Sequence, residues 1–327
     1  MSAFNITVEG GSSVRLPTAG KYCDRDIVIT ATGGGAGGGG GDGAELARSI
    51  VDKSIAAYFD SDVDPIGAYV FYGATKLASI SAPSATSIGT YAFSGCTALS
   101  SVNLSSAKTI NAYAFNGCTS LKSFNGALVT TVATYAFSGC TALAEMSLPV
   151  ATSIAGYAFN GTAFKHLSLP KMTSMTSGAF RGSKFETCDF PLVTNIGNNS
   201  FRAQGYIKSV TFPKVTSTSS EAMRNCSALT YVDLPICASF GTYTFYDCSS
   251  LETLILRKTD KICTMSNVNV LTNTKIASGT GYIYVPSALY DSYVKGTNWT
   301  TFSAQFRKLE EYTVDGTITG ALDDTKI

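Results

Sequence analysis

Apolar residues recur along most of this chain with a period of about 22 residues. A phenylalanine, which ends a Tyr-Ala-Phe triplet in four repeats, marks each period, and a methionine replaces it once. The marker residues are Phe71, Phe93, Phe115, Phe137, Phe159, Phe180, Phe201, Met223 and Phe245. A period this short holds one strand and one tight return, so the pattern predicts a solenoid of about nine rungs of 21–22 residues.

Each period has the same internal pattern. After the phenylalanine, apolar residues follow in the order Leu-x-x-apolar-x-Leu, as in Leu99, Val102 and Leu104. The alternating last pair predicts a short strand with one face directed inward. Two residues after the phenylalanine stands a residue that tolerates a left-handed turn, and in the first six repeats it is glycine. Because one rung cannot bury its own apolar face, we expect stability to come from stacking between neighbours.

The segment IGTYAFSGCTALSSVNL, from Ile88 to Leu104, resembles the BspA-like leucine-rich repeat of bacterial surface proteins, whose consensus is close to IGxYAFxGCxxLxxVxLP. In-phase copies cover residues 66–256, with departures at Ser183, Gln204 and Met223. The resemblance implies an α/β-type repeat solenoid, a leucine-rich repeat fold, flanked by a small N-terminal β module and a mixed C-terminal cap. It also implies a binding protein.

Four segments lie outside the repeats. Residues 1–32 alternate like short strands and resemble small β modules of the type GKYxxKxIxV in bacteriophage tail and virion proteins. Residues 33–43 are glycine-rich and lack the Lys-Ser or Lys-Thr of a phosphate-binding loop, so they are predicted to be a linker. Residues 44–65 are predicted to form a helical cap on the first rung, and residues 257–327 a degenerate last rung and a C-terminal cap.

Charge and hydropathy argue against several partner classes. The chain has 24 basic and 23 acidic residues and is only 14% charged, which is unlike a nucleic-acid or anionic-membrane binder. No apolar run reaches the roughly 18–20 residues that span a bilayer. The first residues show neither the basic start nor the apolar stretch of an export signal, so we expect the chain to be made and kept in a cytoplasm until assembly.

Five of the nine cysteines occupy one repeat position, three residues after the marker phenylalanine. Ala74, Thr162, Ser183 and Gln204 stand there in other repeats, which a disulfide or metal site at this position would not permit. We therefore expect a ladder of buried thiols that pack as small apolar side chains. The cysteines concerned are Cys96, Cys118, Cys140, Cys226 and Cys248.

The sequence shows no catalytic or metal-ligating constellation. His166 is the sole histidine, and there is no C-x-x-C pair for zinc. The acidic residues from Asp60 to Asp64 are not followed by the glycine and the bidentate acid of a calcium loop. Neither a G-x-S-x-G nucleophile nor paired carboxylates at matching repeat positions occur. We expect no enzyme activity, no metal and no cofactor.

The outward strand positions are the predicted contact surface. Serine and asparagine dominate them in the first repeats, whereas charge and bulk begin at Glu145, so specificity is expected from there onward. The predicted binding residues are Glu145, His166, Asp189, Tyr231 and Asp233. Six tyrosines, each two residues before a marker phenylalanine, form a second ladder, which either packs over the return turn or presents a stacking stripe for sugars. The alternative binding residues are Tyr91, Tyr113, Tyr135 and Tyr157.

The resemblances together imply a protein of a phage tail or virion that contacts a bacterial surface protein or glycan through the solenoid. Residues 1–32 are expected to attach it to other virion or tail proteins. Neither nucleic acid nor membrane is an expected partner, and homo-oligomerisation stays open. The alternative is a BspA-like adhesin on the bacterial cell surface.

Overall fold

The computed structural model describes residues 65–311 without a gap, and the backbone of six short strands outside that range. The predicted glycine-rich linker and the segment of residues 44–55 lie outside the described residues. Two compact units divide the chain, Met1–Ser168 and Leu169–Ile327. The six outlying strands are Asn5–Val8 (β1), Ser12–Arg15 (β2), Val28–Thr32 (β3), Ala56–Phe59 (β4), Thr313–Val314 (β24) and Thr317–Ile318 (β25).

Two rows of short parallel strands build the N-terminal unit, and each rung contributes one strand to each row. In the long row, partner residues are 22 apart, as in Ile80 and Val102. The long strands are Ser79–Ser81 (β5), Ser101–Asn103 (β7), Ser123–Asn125 (β9), Glu145–Ser147 (β11) and His166–Ser168 (β13). The short strands are Ser87–Ile88 (β6), Thr109–Ile110 (β8), Thr131–Val132 (β10) and Ser153–Ile154 (β12).

The C-terminal unit has the same two rows. Its long strands are Thr187–Asp189 (β14), Ser209–Thr211 (β16), Tyr231–Asp233 (β18), Thr253–Ile255 (β20), Tyr282–Val285 (β22) and Phe306–Lys308 (β23). Its short strands are Asn195–Ile196 (β15), Ser217–Thr218 (β17), Ser239–Phe240 (β19) and Thr264–Met265 (β21). Strands β22 and β23 continue the long row beyond Leu256, where the repeat motif is no longer recognisable. The prediction of a leucine-rich repeat solenoid is confirmed in both units.

Helices are few in the described part of the chain. The α-helix is Tyr290–Val294 (α1), and four 3-10 helices are Val268–Leu271, Ser287–Leu289, Thr300–Gln305 and Leu309–Glu311. The label "α/β" is therefore too broad, because the returns between strands are turns. After residue 281 the chain forms strand β22, a 3-10 helix that begins at Ser287, helix α1, a 3-10 helix that begins at Thr300, and strand β23.

Residues 1–32 contain short strands, as their alternating pattern predicts. Strands β1, β2 and β3 pair antiparallel, and β3 continues in parallel through β4 to β5 of the long row. Strand β4 lies within residues 44–65, so the prediction of a helical cap is wrong for Ala56–Phe59. Near the other end of the chain, strands β24 and β25 pair antiparallel.

The marker phenylalanines form the core. In the N-terminal unit, consecutive rings from Phe71 to Phe159 stack with centroid separations of 5.0–5.6 Å. The amide of each ring-bearing residue also donates to the next rung, as Phe115 does to the carbonyl of Ala136 at 2.8 Å. Each return is thus bonded to the next through both side chains and backbone.

Two residues of each return adopt left-handed backbone conformations. One is the predicted position after the phenylalanine, occupied for example by Gly95 (φ +77°) and later by Ala203 (φ +63°). The other is the position two residues before the phenylalanine, where tyrosine occurs six times with φ of 56–61°. A left-handed conformation costs a non-glycine residue roughly 1–2 kcal/mol, so other contacts must hold these tyrosines in place.

The cysteine ladder is buried, as predicted, and each thiol also donates a hydrogen bond. Cys118 Sγ donates to the carbonyl of Phe93 in the preceding rung at 3.1 Å, and Cys226 Sγ to that of Phe201 at 3.1 Å. Two of the residues that replace cysteine are donors too, since Thr162 Oγ1 donates to the carbonyl of Phe159 and Gln204 Nε2 to that of Phe180, whereas Ala74 has no side-chain donor. The position therefore favours a buried donor.

Cys96 should resist alkylation in the folded protein. Burial raises the pKa of its thiol from 9.0 to about 12, so the reactive thiolate is scarce at pH 8. Mass spectrometry after iodoacetamide treatment should find Cys96 unmodified under native conditions and modified in urea. The raised pKa adds stability that is complete below pH 9 and is lost as the pH rises towards 12. Equal labelling in native and unfolded protein would contradict this prediction.

Candidate binding surfaces

The predicted binding residues lie on strands of the long rows. Glu145 and His166 are exposed and open strands β11 and β13 of the N-terminal unit. Asp189 is exposed at the end of β14 in the C-terminal unit. Tyr231 opens β18 and is half-buried. That these side chains bind a partner stays a prediction.

The predicted exposure of Asp233 is wrong. The sequence pattern predicts that it points to solvent, but it is only 5% exposed. Arg257, two residues beyond β20, lies against it: Nε donates to Oδ1 at 3.1 Å and Nη2 to Oδ2 at 2.6 Å. The hydroxyl of Tyr231 donates to the same carboxylate at 3.4 Å. Asp233 is thus part of a covered ion pair, and substituting it tests stability before it tests binding.

The ion pair fixes the charge of Arg257. Burial opposes the charged guanidinium, but the hydrogen bonds and charge of Asp233, with a smaller contribution from Tyr231, outweigh it and raise the pKa of Arg257. The guanidinium therefore stays protonated throughout the physiological range. The carboxylate of Asp233 accepts hydrogen bonds from both Arg257 and the hydroxyl of Tyr231.

Three residues that sequence reasoning missed extend this surface. Backbone register aligns Tyr231 with Thr253 and Tyr282, and β22 brings Tyr284 onto the same face. Arg307 of β23 places its guanidinium 4.2 Å from the centre of the Tyr282 ring. We call Tyr231, Arg257, Tyr282, Tyr284 and Arg307 the tyrosine–arginine face. The alternating YIYV segment predicted a strand but not its parallel pairing with β20.

The tyrosine–arginine face has a fixed arrangement. The rings of Tyr282 and Tyr284 meet edge-on with centroids 6.5 Å apart. Arg307 is held by hydrogen bonds from Nη1 to the carbonyls of Ala304 (3.0 Å) and Phe306 (2.7 Å). Tyr282 remains 38% exposed. Aromatic faces, hydroxyl groups and guanidinium donors are thus presented together on a rigid sheet, which suits recognition of a partner.

The tyrosine ladder of the N-terminal unit is a continuous ring stack. From Tyr69 to Tyr157, neighbouring centroids are 4.5–5.0 Å apart and ring planes differ by 4–12°. Tyr72 packs edge-on against Tyr69 and Tyr91. Partial burial, and then the neighbouring hydroxyl of Tyr113, raise the pKa of Tyr91.

This stacking favours one of the two interpretations of the ladder. The faces of Tyr91, Tyr113 and Tyr135 are covered by neighbouring rings, so a sugar cannot stack on them. Only ring edges and hydroxyl groups remain accessible. The geometry therefore supports packing over the return turn, and stacking is the contact that offsets the left-handed backbone of these tyrosines.

The described part of the chain contains neither a cluster of metal-binding side chains nor a helix that could cross a membrane. Among those residues, no group of three or more His, Cys, Asp or Glu side chains is placed to hold a metal ion. The helices described there are too short and too polar to cross a membrane. The sole histidine, His166, lies exposed on β13.

Comparison with known families supports the repeat assignment. The model of the BspA-type leucine-rich repeat region, with six copies, matches residues 64–185 and 173–284, which together exceed half of the 327 residues. The chain belongs to the BspA-type leucine-rich repeat family. Proteins of this repeat family are typically non-enzymatic. A comparison with curated proteins finds no match.

Several solved structures are similar to this BspA-type chain. A leucine-rich cell surface protein from Faecalibacterium prausnitzii is 20% identical, with 94% of each chain covered and a TM-score of 0.47. A pneumococcal vaccine antigen is 14% identical, covering 94% of this chain and 97% of its own, with a TM-score of 0.46. A leucine-rich repeat protein of T. pallidum is 22% identical over 71% of this chain and 86% of its own, with a TM-score of 0.40.

Proposed function

We propose that this BspA-type chain is a non-enzymatic binding protein that contacts a bacterial surface protein or glycan through the tyrosine–arginine face of its C-terminal unit. The observation that carries the proposal is the exposed Tyr282 ring packed under Arg307 on the long-strand row. Tyrosine and arginine are the residue types enriched among the side chains that dominate binding energy. Family membership fits an interaction or adhesin role.

The rigidity of this face favours binding. Tyr282 and Arg307 are already in contact, and Tyr231 and Arg257 are anchored to Asp233, so little side-chain entropy is lost when a partner arrives. The uniform serine and asparagine rows of the N-terminal unit offer no comparable anchors. Glu145, His166 and Asp189 remain the candidates for additional contacts.

The biological setting belongs to the same proposal. The β-module resemblance of residues 1–32 supports attachment to tail or virion proteins and a place in a phage virion, with homo-oligomerisation as one way to assemble. The alternative setting is the bacterial cell surface, which BspA-like membership supports. Genes beside the coding sequence would separate the two: tail or lysis genes favour the virion, and a sortase locus favours the cell surface.

Cell binding provides the functional test. Fluorescently labelled full-length protein is incubated with a panel of Gram-positive and Gram-negative cells, and bound protein is measured by flow cytometry. Tyr282→Ala combined with Arg307→Ala should reduce binding roughly thirtyfold or more, because a single anchor of an interface typically contributes about 2 kcal/mol or more. The melting temperature should change little, since Tyr282 is exposed.

Ser209→Ala combined with Thr211→Ala is the matched control. Both residues are exposed on strand β16 of the same row, and their removal should leave cell binding unchanged. Normal binding by the Tyr282 and Arg307 variant would refute the proposal. Loss of binding in a Tyr91→Ala and Tyr113→Ala variant instead would assign the contact to the tyrosine ladder.

A further inference from the structure

An arginine occupies the same repeat position in three consecutive rungs of the C-terminal unit. Directly after the marker phenylalanine or methionine stand Arg181, Arg202 and Arg224. Backbone bonds join the rungs at this point, from the amide of Gly182 to the carbonyl of Arg202 and from Ala203 to Arg224, both at 2.8 Å. The three arginines therefore form a column with a spacing of roughly 4.8 Å, that of hydrogen-bonded strands.

The column is specific to this unit. The same position in the N-terminal unit holds neutral residues, as in Ser94, Asn116, Ser138 and Asn160. Three of the eight arginines of a chain that is only 14% charged thus share one repeat position. Solenoid stacking does not require arginine there, because serine and asparagine serve in the other rungs.

Hydrogen-bond donors exceed acceptors in the arginine column. Glu221 Oε2 accepts from Arg202 Nη1 at 2.9 Å and lies 3.4 Å from Arg224 Nη1. Within the described residues, the buried Nε of Arg224 has no acceptor, and the exposed Arg181 side chain has no ion-pair partner. Each guanidinium carries five N–H donors. One carboxylate for three guanidinium groups leaves the column positive and its donors under-used.

Two tyrosines extend the column. The Arg224 guanidinium lies 4.9 Å from the centre of the Tyr246 ring and 5.8 Å from that of Tyr243. The two rings meet edge-on at 5.2 Å and are half-buried. The row of guanidinium groups therefore ends against two half-buried tyrosine rings, which Arg224 partly covers.

We propose that the arginine column with Tyr243 and Tyr246 binds an acidic polysaccharide whose carboxylate or phosphate groups repeat along its length. Planar guanidinium groups match both anions through paired N–H donors. The rung spacing is close to the length of one sugar residue, so successive acidic residues meet successive arginines. This site lies on the return turns and does not depend on the tyrosine–arginine face of the long row.

Isothermal titration calorimetry of the full chain tests the site with four probes. Polygalacturonate supplies carboxylates, a phosphomannan supplies phosphates, dextran is neutral, and a DNA duplex is a polyanion whose phosphates are not carried on pyranose rings. We expect at least one of the two acidic polymers to bind and to weaken with added salt, and dextran and DNA to bind far less. Arg181→Gln should weaken the affinity for that polymer roughly tenfold, which is the effect of losing one charge-assisted hydrogen bond.

Two comparisons make the test decisive. Replacing Arg181, Arg202 and Arg224 together by glutamine should abolish binding. The control variant carries glutamine at Lys171, Lys208 and Lys214, which removes the same charge from the same unit, and it should still bind. Tyr282→Ala should bind the acidic polymer normally, which separates this site from the proposed cell contact. Equal loss in the lysine variant, tighter binding of DNA, or no binding of either acidic polymer would overturn the proposal.

Discussion

Replacing Phe137 by alanine should lower the free energy of unfolding by about 3–5 kcal/mol. Its ring is fully buried between Phe115 and Phe159, with centroid separations of 5.1 and 5.6 Å, and Phe124 meets it edge-on at 5.0 Å. The neighbouring rings are fixed by their own rungs and cannot close the cavity. Urea denaturation followed by circular dichroism measures the loss.

Phe137→Leu is the matched control for this prediction. Leucine fills much of the ring volume and keeps the apolar contact, so the loss should be about 1–2 kcal/mol. Similar losses for alanine and leucine would mean that ring packing contributes little. A loss below about 1 kcal/mol for alanine would contradict the fixed stack of rungs.

Asp233→Ala should cost about 3 kcal/mol, at the lower end of the range for breaking a buried ion pair. The Arg257 side chain is 21% exposed and that of Asp233 is 7% exposed. In the variant, the unpaired guanidinium of Arg257 therefore regains only part of its hydration. Thermal and urea unfolding should both register the loss. Unchanged stability would contradict the bidentate contact.

A double variant separates the ion pair from simple packing. Asp233→Leu combined with Arg257→Met removes both charges and fills the space with apolar atoms, which is often neutral in cost. Its stability should therefore recover most of the loss seen in Asp233→Ala. If the double variant is as unstable as the single one, the carboxylate has a role beyond pairing with Arg257.

The period predicted the core because the same residue types meet in every rung. A phenylalanine at each marker position can only stack on its neighbours when rungs have equal length, and Phe93, Phe115 and Phe137 do so. The left-handed glycine turns were predictable for the same reason. The fold was thus readable from spacing alone as far as the spacing persists.

The prediction of the site was incomplete where contacts lie outside the repeat pattern. Arg257 lies outside the repeats, so spacing gave no indication that it covers Asp233. Strand β22 pairs with β20 after an irregular segment, so Tyr282 and Tyr284 join the row by backbone hydrogen bonds instead of by repeat position. The donor role of the cysteines was detectable, because threonine, serine and glutamine replace them.

The thiol-to-carbonyl hydrogen bonds connect successive rungs in the same way, so these rungs have interchangeable contacts. Cys118 bonds Phe93 and Cys140 bonds Phe115 in the same way, and Cys226 and Cys248 repeat the contact in the C-terminal unit. A rung gained or lost by unequal recombination would meet the same donors and acceptors on both sides. The array can therefore change length without redesign of its core, while surface columns such as the arginines diverge independently.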